Sequence, residues 1–411
     1  MEVNVLYAVR LYLTPMKPVH PQFPALPALP QVALLHLQRL QAFVLRCPID
    51  TPVRTSFGIM HERPALFVRA EDTQGHVGWG EIWCNFPACG AEHRAQLMQT
   101  VLAPLLLGRE FAGPADAYAH ATRQTEVLAL QTGEPGPIAQ AIAGVDLALW
   151  DLCARRAGLP LFRLLGGTRD SVPVYASGIN PDRPQDRVAA KRSEGFRAFK
   201  LKVGFGDARD LGNVKVVRAA LGPGEQLMLD ANQAWSFEAA SAIVPQLEAF
   251  DIDWLEEPLR ADASVAHWQQ LRAIAGMPLA AGENMIGATA FAAAIDAGAL
   301  AVLQPDVAKW GGISGCWPVI RQIRAAGLRF CPHYLGAGVG LLASAHVLAA
   351  AGGDGMLEVD ANPNPLRTHL APHLETPRNG HVALGHRPGI GVDVEIDALR
   401  RICGAATPPP R

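Results

Sequence analysis

At 411 residues and 49% hydrophobic, the chain carries enough apolar mass for two domains and a core that needs no staple. Its 36 basic and 38 acidic residues leave a net charge of -2, with no dense basic cluster interleaved with aromatics, which argues against nucleic acid as a partner. No uninterrupted apolar run reaches the ~18 residues of a spanning helix, and the seven cysteines (Cys47, Cys84, Cys89, Cys153, Cys316, Cys331, Cys403) are scattered, odd in number and free of any CxxC pair. The expectation is a cytoplasmic chain without membrane contact, disulfide framework or cysteine zinc site.

In chain order, residues 1–37 form a Pro-rich leader (MKPVHPQFPALPALP) that excludes helix interior and central strand alike. It has no basic region followed by an apolar one, so it is expected to be a disordered extension and not a signal peptide. From Leu40, QAFVLRCPI, ALFVRAED and HVGWGEIW read as an antiparallel meander. Helical periodicity follows in GAEHRAQLMQTVLAPLLLG and in IAQAIAGVDLALWDLCARRAG, which stops at Gly158 and Pro160. These elements predict an α+β capping domain over 38–165.

Beyond Gly166, VPVYASG, FKLKVG, QLMLDAN, DWLEEP, PLAAGEN, AVLQPD, RFCPH and MLEVD alternate with helical stretches, the pattern of a parallel sheet. Eight such strands in about 200 residues, with no GxGxxG turn after the first, predict an α/β (β/α)8 barrel over 166–364 rather than an open doubly wound sheet. Residues 365–411 are expected to return to the capping domain, with a separate strand pair on the barrel as the alternative.

Each strand after the first ends in an ionisable residue: Lys200 and Lys202, Asp230, Glu256, Glu283, Asp306, His333 and Glu358. From Lys200 onward the intervals are 30, 26, 27, 23, 27 and 25 residues, the length of one βα unit. The carboxyl-terminal ends of barrel strands converge on one mouth, so these groups should share a cavity. A single acid after a strand is ordinarily a helix cap or loop charge. Independent capping does not explain why every strand is apolar and every terminus ionisable.

Lys200 and Lys202 are two apart, so they share a strand face, while Phe199, Leu201 and Val203 occupy the other and must cover the helices. Both ammonium groups therefore point into the barrel. Asp230, Glu256 and Glu283 supply hard oxygen ligands without Cys or His, which selects one Mg²⁺, or Mn²⁺ in its place, over zinc. Asn232, in DANQAW, can point the same way and bond a substrate oxygen. Glu257 and Pro258 read as supporting groups at the strand exit. Asp306 and His333, at adjacent strand ends, form an Asp/His dyad in which the carboxylate raises the basicity of the imidazole.

This ordered set resembles the mandelate racemase subgroup of the enolase superfamily over about residues 38–400. The resemblance implies a modified, TIM-like (β/α)7β barrel with an N-terminal α+β capping domain completed by the C-terminal segment, and a homo-oligomer. It also implies that FKLKVG carries the KxK bases and that Asp230, Glu256 and Glu283 hold the metal, with Glu283 followed by Asn284 similar to the subgroup's third-ligand signature. Glu358 is similar to a residue bonding a substrate carboxylate oxygen, and Ser177 to a second carboxylate contact.

An α-proton beside a carboxylate is weakly acidic because its loss builds a second negative charge, so the metal and lysines would supply the required electrostatic stabilisation. Lys202 would remove the proton from a hydroxycarboxylate, with Lys200 lowering its pKa, and His333 would act on the opposite face. Expulsion of a β-hydroxyl as water gives an acid-sugar dehydratase and a 2-keto-3-deoxy acid. Reprotonation instead gives a racemase or epimerase. A cycloisomerase with Lys309 as second base, and a non-catalytic metal-dependent sugar-acid binding protein, are the rivals.

Arg54, Ser177, Asn232 and Lys309 are the candidate substrate contacts. Ser56, His61, Glu62 and Asn85 on the capping loops suit a hydroxylated or diacid substrate, while Phe57, Met60, Trp83 and Phe86 suit an aryl one.

Overall fold

The computed structural model describes residues 26–54 and 58–404. Residues 1–25, most of the Pro-rich leader, lie outside that range. Four strands, β1 (Leu35–Arg54), β2 (Ile59–Asp72), β3 (Val77–Ile82) and β4 (Glu110–Phe111), form an antiparallel sheet in the order β3-β2-β1-β4. The strand bursts in the sequence understate β1, which runs for 20 residues and is interrupted between Pro48 and Val53 by a register shift. It opens at Leu35, inside the stretch expected to be disordered. The segment before it is anchored: Arg156 donates to the carbonyls of Ala33 (2.6 Å) and Leu34 (3.0 Å), and Trp317 Nε1 to that of Pro27 (2.9 Å).

The helix Pro135–Arg156 is long and apolar enough to cross a membrane by composition, yet here it is the buried backbone of the capping domain. It lies so close to β3 that a Cβ on Gly78 or Gly80 would stand 2.2 Å from Ala148 O or 2.0 Å from Gly144 O. Only glycine permits that approach.

The second unit contains β5 (Ser171–Ile179), β6 (Ala198–Lys202), β7 (Gln226–Asp230), β8 (Leu255–Glu256), β9 (Leu279–Ala281), β10 (Val302–Leu303), β11 (Arg329–Phe330) and β12 (Leu357–Asp360). They pair in parallel in the order β11-β10-β9-β8-β7-β6-β5-β12, with seven intervening helices, giving the (β/α)7β barrel. Alternation works as the sequence dictates. Phe199 and Leu201 join the large cluster under the helices, whereas Lys200 points inward above a plug formed by Tyr175, Ala198, Met228, Trp254, Ala280, Val302, Cys331 and Met356. A last strand, β13 (His381–Ala383), pairs antiparallel with β5 at residues 171–173, the end away from the mouth.

The capping sheet and barrel are joined through buried acids that accept backbone N–H groups. Glu81 takes Ala337 N (2.6 Å) and Gly340 N (2.9 Å); Asp151 takes Trp79 N and Ile390 N. Asp146 takes Ile313 N (2.7 Å), Ser314 N (2.9 Å) and Ser314 Oγ (2.5 Å) at the start of the helix Gly312–Ala325. An acid at a helix N-terminus meets unpaired donors and the positive end of the helix dipole.

A disulfide joins Cys47 on β1 to Cys403, across 356 residues of sequence, correcting the expectation of a chain without one. The other five cysteines are free. Spacing could not reveal the pair because only the docked C-terminal segment brings its members together.

Burial pushes the Asp146 carboxyl up to about 7, against the pull of its three donors. An acid raised in the folded state binds its proton more tightly there. Its stabilisation is full below the unfolded value of about 4 and is lost as pH rises to about 7. Asp146→Asn stays neutral throughout. Calorimetric Tm values should show the wild type losing roughly 2–3 kcal/mol relative to this variant between pH 5 and pH 7.5; a constant offset would contradict the assignment.

Candidate functional site

The strand ends bring the expected ionisable groups to one mouth. Register places Lys202 beside Asp230 and Asp230 beside Glu256 on successive strands. Lys200 is fully buried and reaches both Glu256 oxygens (2.6 and 2.7 Å) and Glu358 Oε1 (2.8 Å), with Asp230 at 3.9 Å. The Tyr175 ring lies below, its centroid 5.2 Å from Nζ. Lys202 reaches Asp230 Oδ2 and Asn232 Oδ1, both at 2.6 Å. His333 has Nδ1 at 2.8 Å from Asp306 Oδ2, and its Nε2 contacts Glu283 Oε2. Ser177 Oγ donates to Glu358 Oε1 (2.5 Å), and Tyr334 N to Glu358 Oε2 (3.2 Å).

The electrostatics are those of carboxylates in excess. Burial pushes Glu256 up to about 7, offset in part by Lys200. Glu257 rises well above the carboxylate range through burial, with Glu283 and Asp230 beside it. Burial would raise Glu283 as well, but His333 and Lys309 outweigh it and hold it well below its ordinary value. His333 is raised well above an ordinary imidazole: burial opposes its charge, and Glu283, Glu358 and Asp306 more than compensate. Lys200 lowers Lys202 as expected, but it does not decide the net direction. Burial and Lys200 pull it down, yet Asp230 leaves it above its usual value.

Six acids (Asp230, Glu256, Glu257, Glu283, Asp306, Glu358) face four potential cations (Lys200, Lys202, Lys309, His333), an imbalance of two charges. Glu257 Oε2 is buried without a hydrogen-bond partner. Among the described residues no three acids or imidazoles are drawn into a finished metal cage. Lys200 engages Glu256, and His333 engages Glu283. The donor set, the orphaned oxygen and the charge imbalance nevertheless fit a hard divalent cation.

Asn232, Gln233 and Glu257 have positive φ (43°, 64° and 43°), a strained backbone that turns the chain sharply where β7 and β8 deliver their acids.

Above this layer a cavity of about 400 Å³ is lined by Lys202, Asn232, Glu283, Lys309 and His333 from the barrel and by Trp83, Asn85 and Phe86 from the cap. Lys309 donates to Asn284 Oδ1 (2.7 Å) and lies 4.8 Å from the Trp83 ring centroid. The Arg54 side chain, Ser56 and Phe57 lie outside the described residues. His61 is exposed, Glu62 pairs with Arg46, and neither lines the cavity.

Sequence reasoning missed Gln304, which donates to Glu256 Oε2 (2.6 Å), and noted Asn284 only as the residue after Glu283, without its bonds to Glu257 and Glu283. Each sits one or two residues from a strand-end acid. It also missed Glu81, for which only the tertiary fold supplies a signal.

Two family descriptions match the chain: "Mandelate racemase / muconate lactonizing enzyme, N-terminal domain" over residues 39–166 and "Enolase C-terminal domain-like" over 185–398. A crystal structure of a mandelate racemase/muconate lactonizing enzyme from Bordetella bronchiseptica RB50 is 57% identical, with a TM-score of 0.86, covering 90% of this chain and 100% of that one. D-galactarolactone cycloisomerase of Agrobacterium fabrum is 32% identical over 89% of this chain and 98% of its own length. D-galactonate dehydratase of Verminephrobacter eiseniae is 30% identical over 80% and 88%.

Glu81 holds the N–H groups of Ala337 and Gly340, directly after the His333 loop. Glu81→Ala would leave both donors buried and unpaired, at a cost of roughly 2–4 kcal/mol. Glu81→Gln, with one acceptor oxygen, should recover part of the resulting loss of Tm; equal losses in the two variants would assign the effect to packing.

Proposed function

As the chain belongs to the mandelate racemase / muconate lactonizing enzyme group of the enolase superfamily, we propose that it removes the α-proton of an acid sugar and then eliminates water from the β-carbon, yielding a 2-keto-3-deoxy acid. The observation that carries this reading is the placement of Lys202 and His333 on one cavity, with Lys200 and Glu358 beneath it. A base on one side and a raised, acid-competent imidazole on another are what proton removal followed by elimination requires.

Enzymes of this superfamily use Mg²⁺. Asp230, Glu256 and Glu283 would hold it here, and it would supply Lewis-acid stabilisation of negative charge on the substrate carboxylate. The remaining work falls to side chains. Lys202, held protonated by Asp230 here, would take the α-proton as the free amine once Asp230 is engaged by the cation. Lys200, bonded to Glu256 and Glu358 beneath the cavity, would add positive charge below the oxygens that gain charge, and Glu358, bonded by Ser177, would share a hydrogen bond with one of them. Asp306 holds His333 Nδ1, and Nε2, which contacts Glu283 Oε2 here, is the atom whose proton would pass to the departing hydroxyl once Glu283 holds the cation. Asn232 and Lys309 offer bonds to substrate oxygens. The small-molecule acids named in the relatives suit this cavity.

A second reading, isomerisation, is favoured by the D-galactarolactone cycloisomerase relative. Loss of the α-proton is common to both. They differ in what leaves the β-carbon or where the proton returns.

Proton NMR in D₂O with Mg²⁺ and a panel of acid sugars separates them. Wild type should convert one member to a keto-deoxy acid. Lys202→Met should lose about 10²–10⁴-fold in kcat/KM, and His333→Asn should lose elimination while retaining α-deuteration. Deuteration with inversion and no keto product would favour the isomerase, and absence of any exchange across the panel would refute both.

A further inference from the structure

The cap gives the main cavity a polar element that lies outside the loops covering it. Gln140, on the helix Pro135–Arg156, lines the cavity and is buried. Arg94, on the helix Gly90–Leu97, is buried beside it. Arg94 Nε donates to Gln140 Oε1 (2.5 Å), Nη1 to Gly90 O (2.9 Å) and Nη2 to Phe86 O (3.3 Å). A guanidinium can only donate, so the Gln140 amide must turn its oxygen to Arg94, which leaves its NH₂ as the group offered to the cavity.

All three acceptors of Arg94 are neutral. Among the described residues no carboxylate lies within ion-pair distance of it, and Glu134, whose charge it feels, pairs with His93 at 3.0 Å instead. A buried guanidinium without a counter-charge is costly. Arg94 Cζ and Lys309 Nζ lie 5.5 and 4.8 Å from the centroid of the same Trp83 ring, and both Trp83 and Lys309 line the cavity. Lys309 bonds the neutral Asn284 Oδ1 at 2.7 Å, with Glu283 Oε1 only at 4.0 Å. This side of the cavity thus combines an oriented amide donor with two cations that the protein answers weakly. Asn85 is the exception: its Nδ2 donates to Leu335 O (2.5 Å), which leaves its oxygen to accept from a hydroxyl.

Resting on the acid-sugar reading for the reacting end of the substrate, we propose that the substrate is a diacid whose second carboxylate is received by Gln140 and Lys309. Arg94 is the positioning residue that orients the amide. The reacting carboxylate belongs at the strand-end acids, so the far end of a molecule spanning the cavity meets the cap. A hydroxyl there would accept one bond and leave both cations without an anion. A carboxylate accepts from both donors, through stronger bonds, and supplies the missing charge.

Calorimetry on Mg²⁺-loaded protein tests this with two pairs of acids that differ only at C6, galactarate against galactonate and glucarate against gluconate. Lys202→Met serves as the background, so that no reaction heat enters. In the pair that binds, the diacid should bind about tenfold to a hundredfold more tightly, the range for hydrogen bonds to a charged group. Gln140→Glu keeps the side-chain shape and still accepts from Arg94, but it sets a carboxylate against that of the substrate. It should lower the diacid-to-monoacid ratio at least tenfold, and Arg94→Met, which releases the amide, should lower it in the same direction. A merely structural role would weaken both acids alike and leave the ratio standing. A diacid that binds no more tightly than its monoacid, or a ratio unmoved by Gln140→Glu, would overturn the inference and leave the dehydratase reading intact. Tighter diacid binding by a protein whose wild type neither exchanges nor eliminates in D₂O would overturn that reading and leave the diacid site standing.

Discussion

Burial of Lys200 among carboxylates is the constraint on which the rest of the barrel mouth depends. An isolated ammonium in that position is prohibitively costly, and so is each of the acids around it. Together they are tolerable, because Glu256 and Glu358 each contact the same Nζ and the Tyr175 ring closes the remaining side. The cost also explains the layer beneath. With every polar group drawn to the strand ends, the barrel interior below Lys200 can be filled by Tyr175, Met228, Trp254, Val302 and Met356, and it contributes apolar packing where the mouth contributes chemistry.

The same principle joins the cap to the barrel. Glu81, Asp146 and Asp151 are each buried in the capping domain, and each meets backbone N–H donors, most of them on the barrel or the C-terminal segment. A buried carboxylate tolerates little displacement from its donors, so these contacts define the cap's position more sharply than apolar contact would. Glu81 carries this furthest. It grips the chain four residues after His333, while Asn85 donates to the Leu335 carbonyl from the same stretch of cap. The loop carrying His333 is thus held from the domain that also supplies Trp83 and Phe86 to the cavity.

What was legible in the sequence follows from these distances along the chain. The βα repeat of 23 to 30 residues made the strand-end groups visible, because barrel geometry converts that interval into proximity. Alternation on FKLKVG made both lysine directions visible. Gln304 went unread because an amide near a strand end looks like ordinary loop polarity. Glu81 and the Cys47–Cys403 pair went unread because their partners lie 256 and 356 residues away, respectively. The Pro-rich composition of residues 26–34 correctly excludes regular structure but says nothing about docking. Three side-chain N–H groups, two from Arg156 and one from Trp317, tie that extended segment down by its carbonyls.

The relatives sharpen where function is decided. A cycloisomerase and a dehydratase, both about equally similar to this chain, sit on one superfamily framework. Loss of an α-proton asks for a base, a means of stabilising charge and an exclusion of bulk water, all of which the strand-end layer is suited to provide whatever follows. The outcome after that step depends on the space next to the proton donor and on what can reach it. Divergence of reaction within one fold can therefore proceed through the side chains that the cap and the strand exits present to the substrate, while the contacts of Lys200 with Glu256 and Glu358 stay as they are.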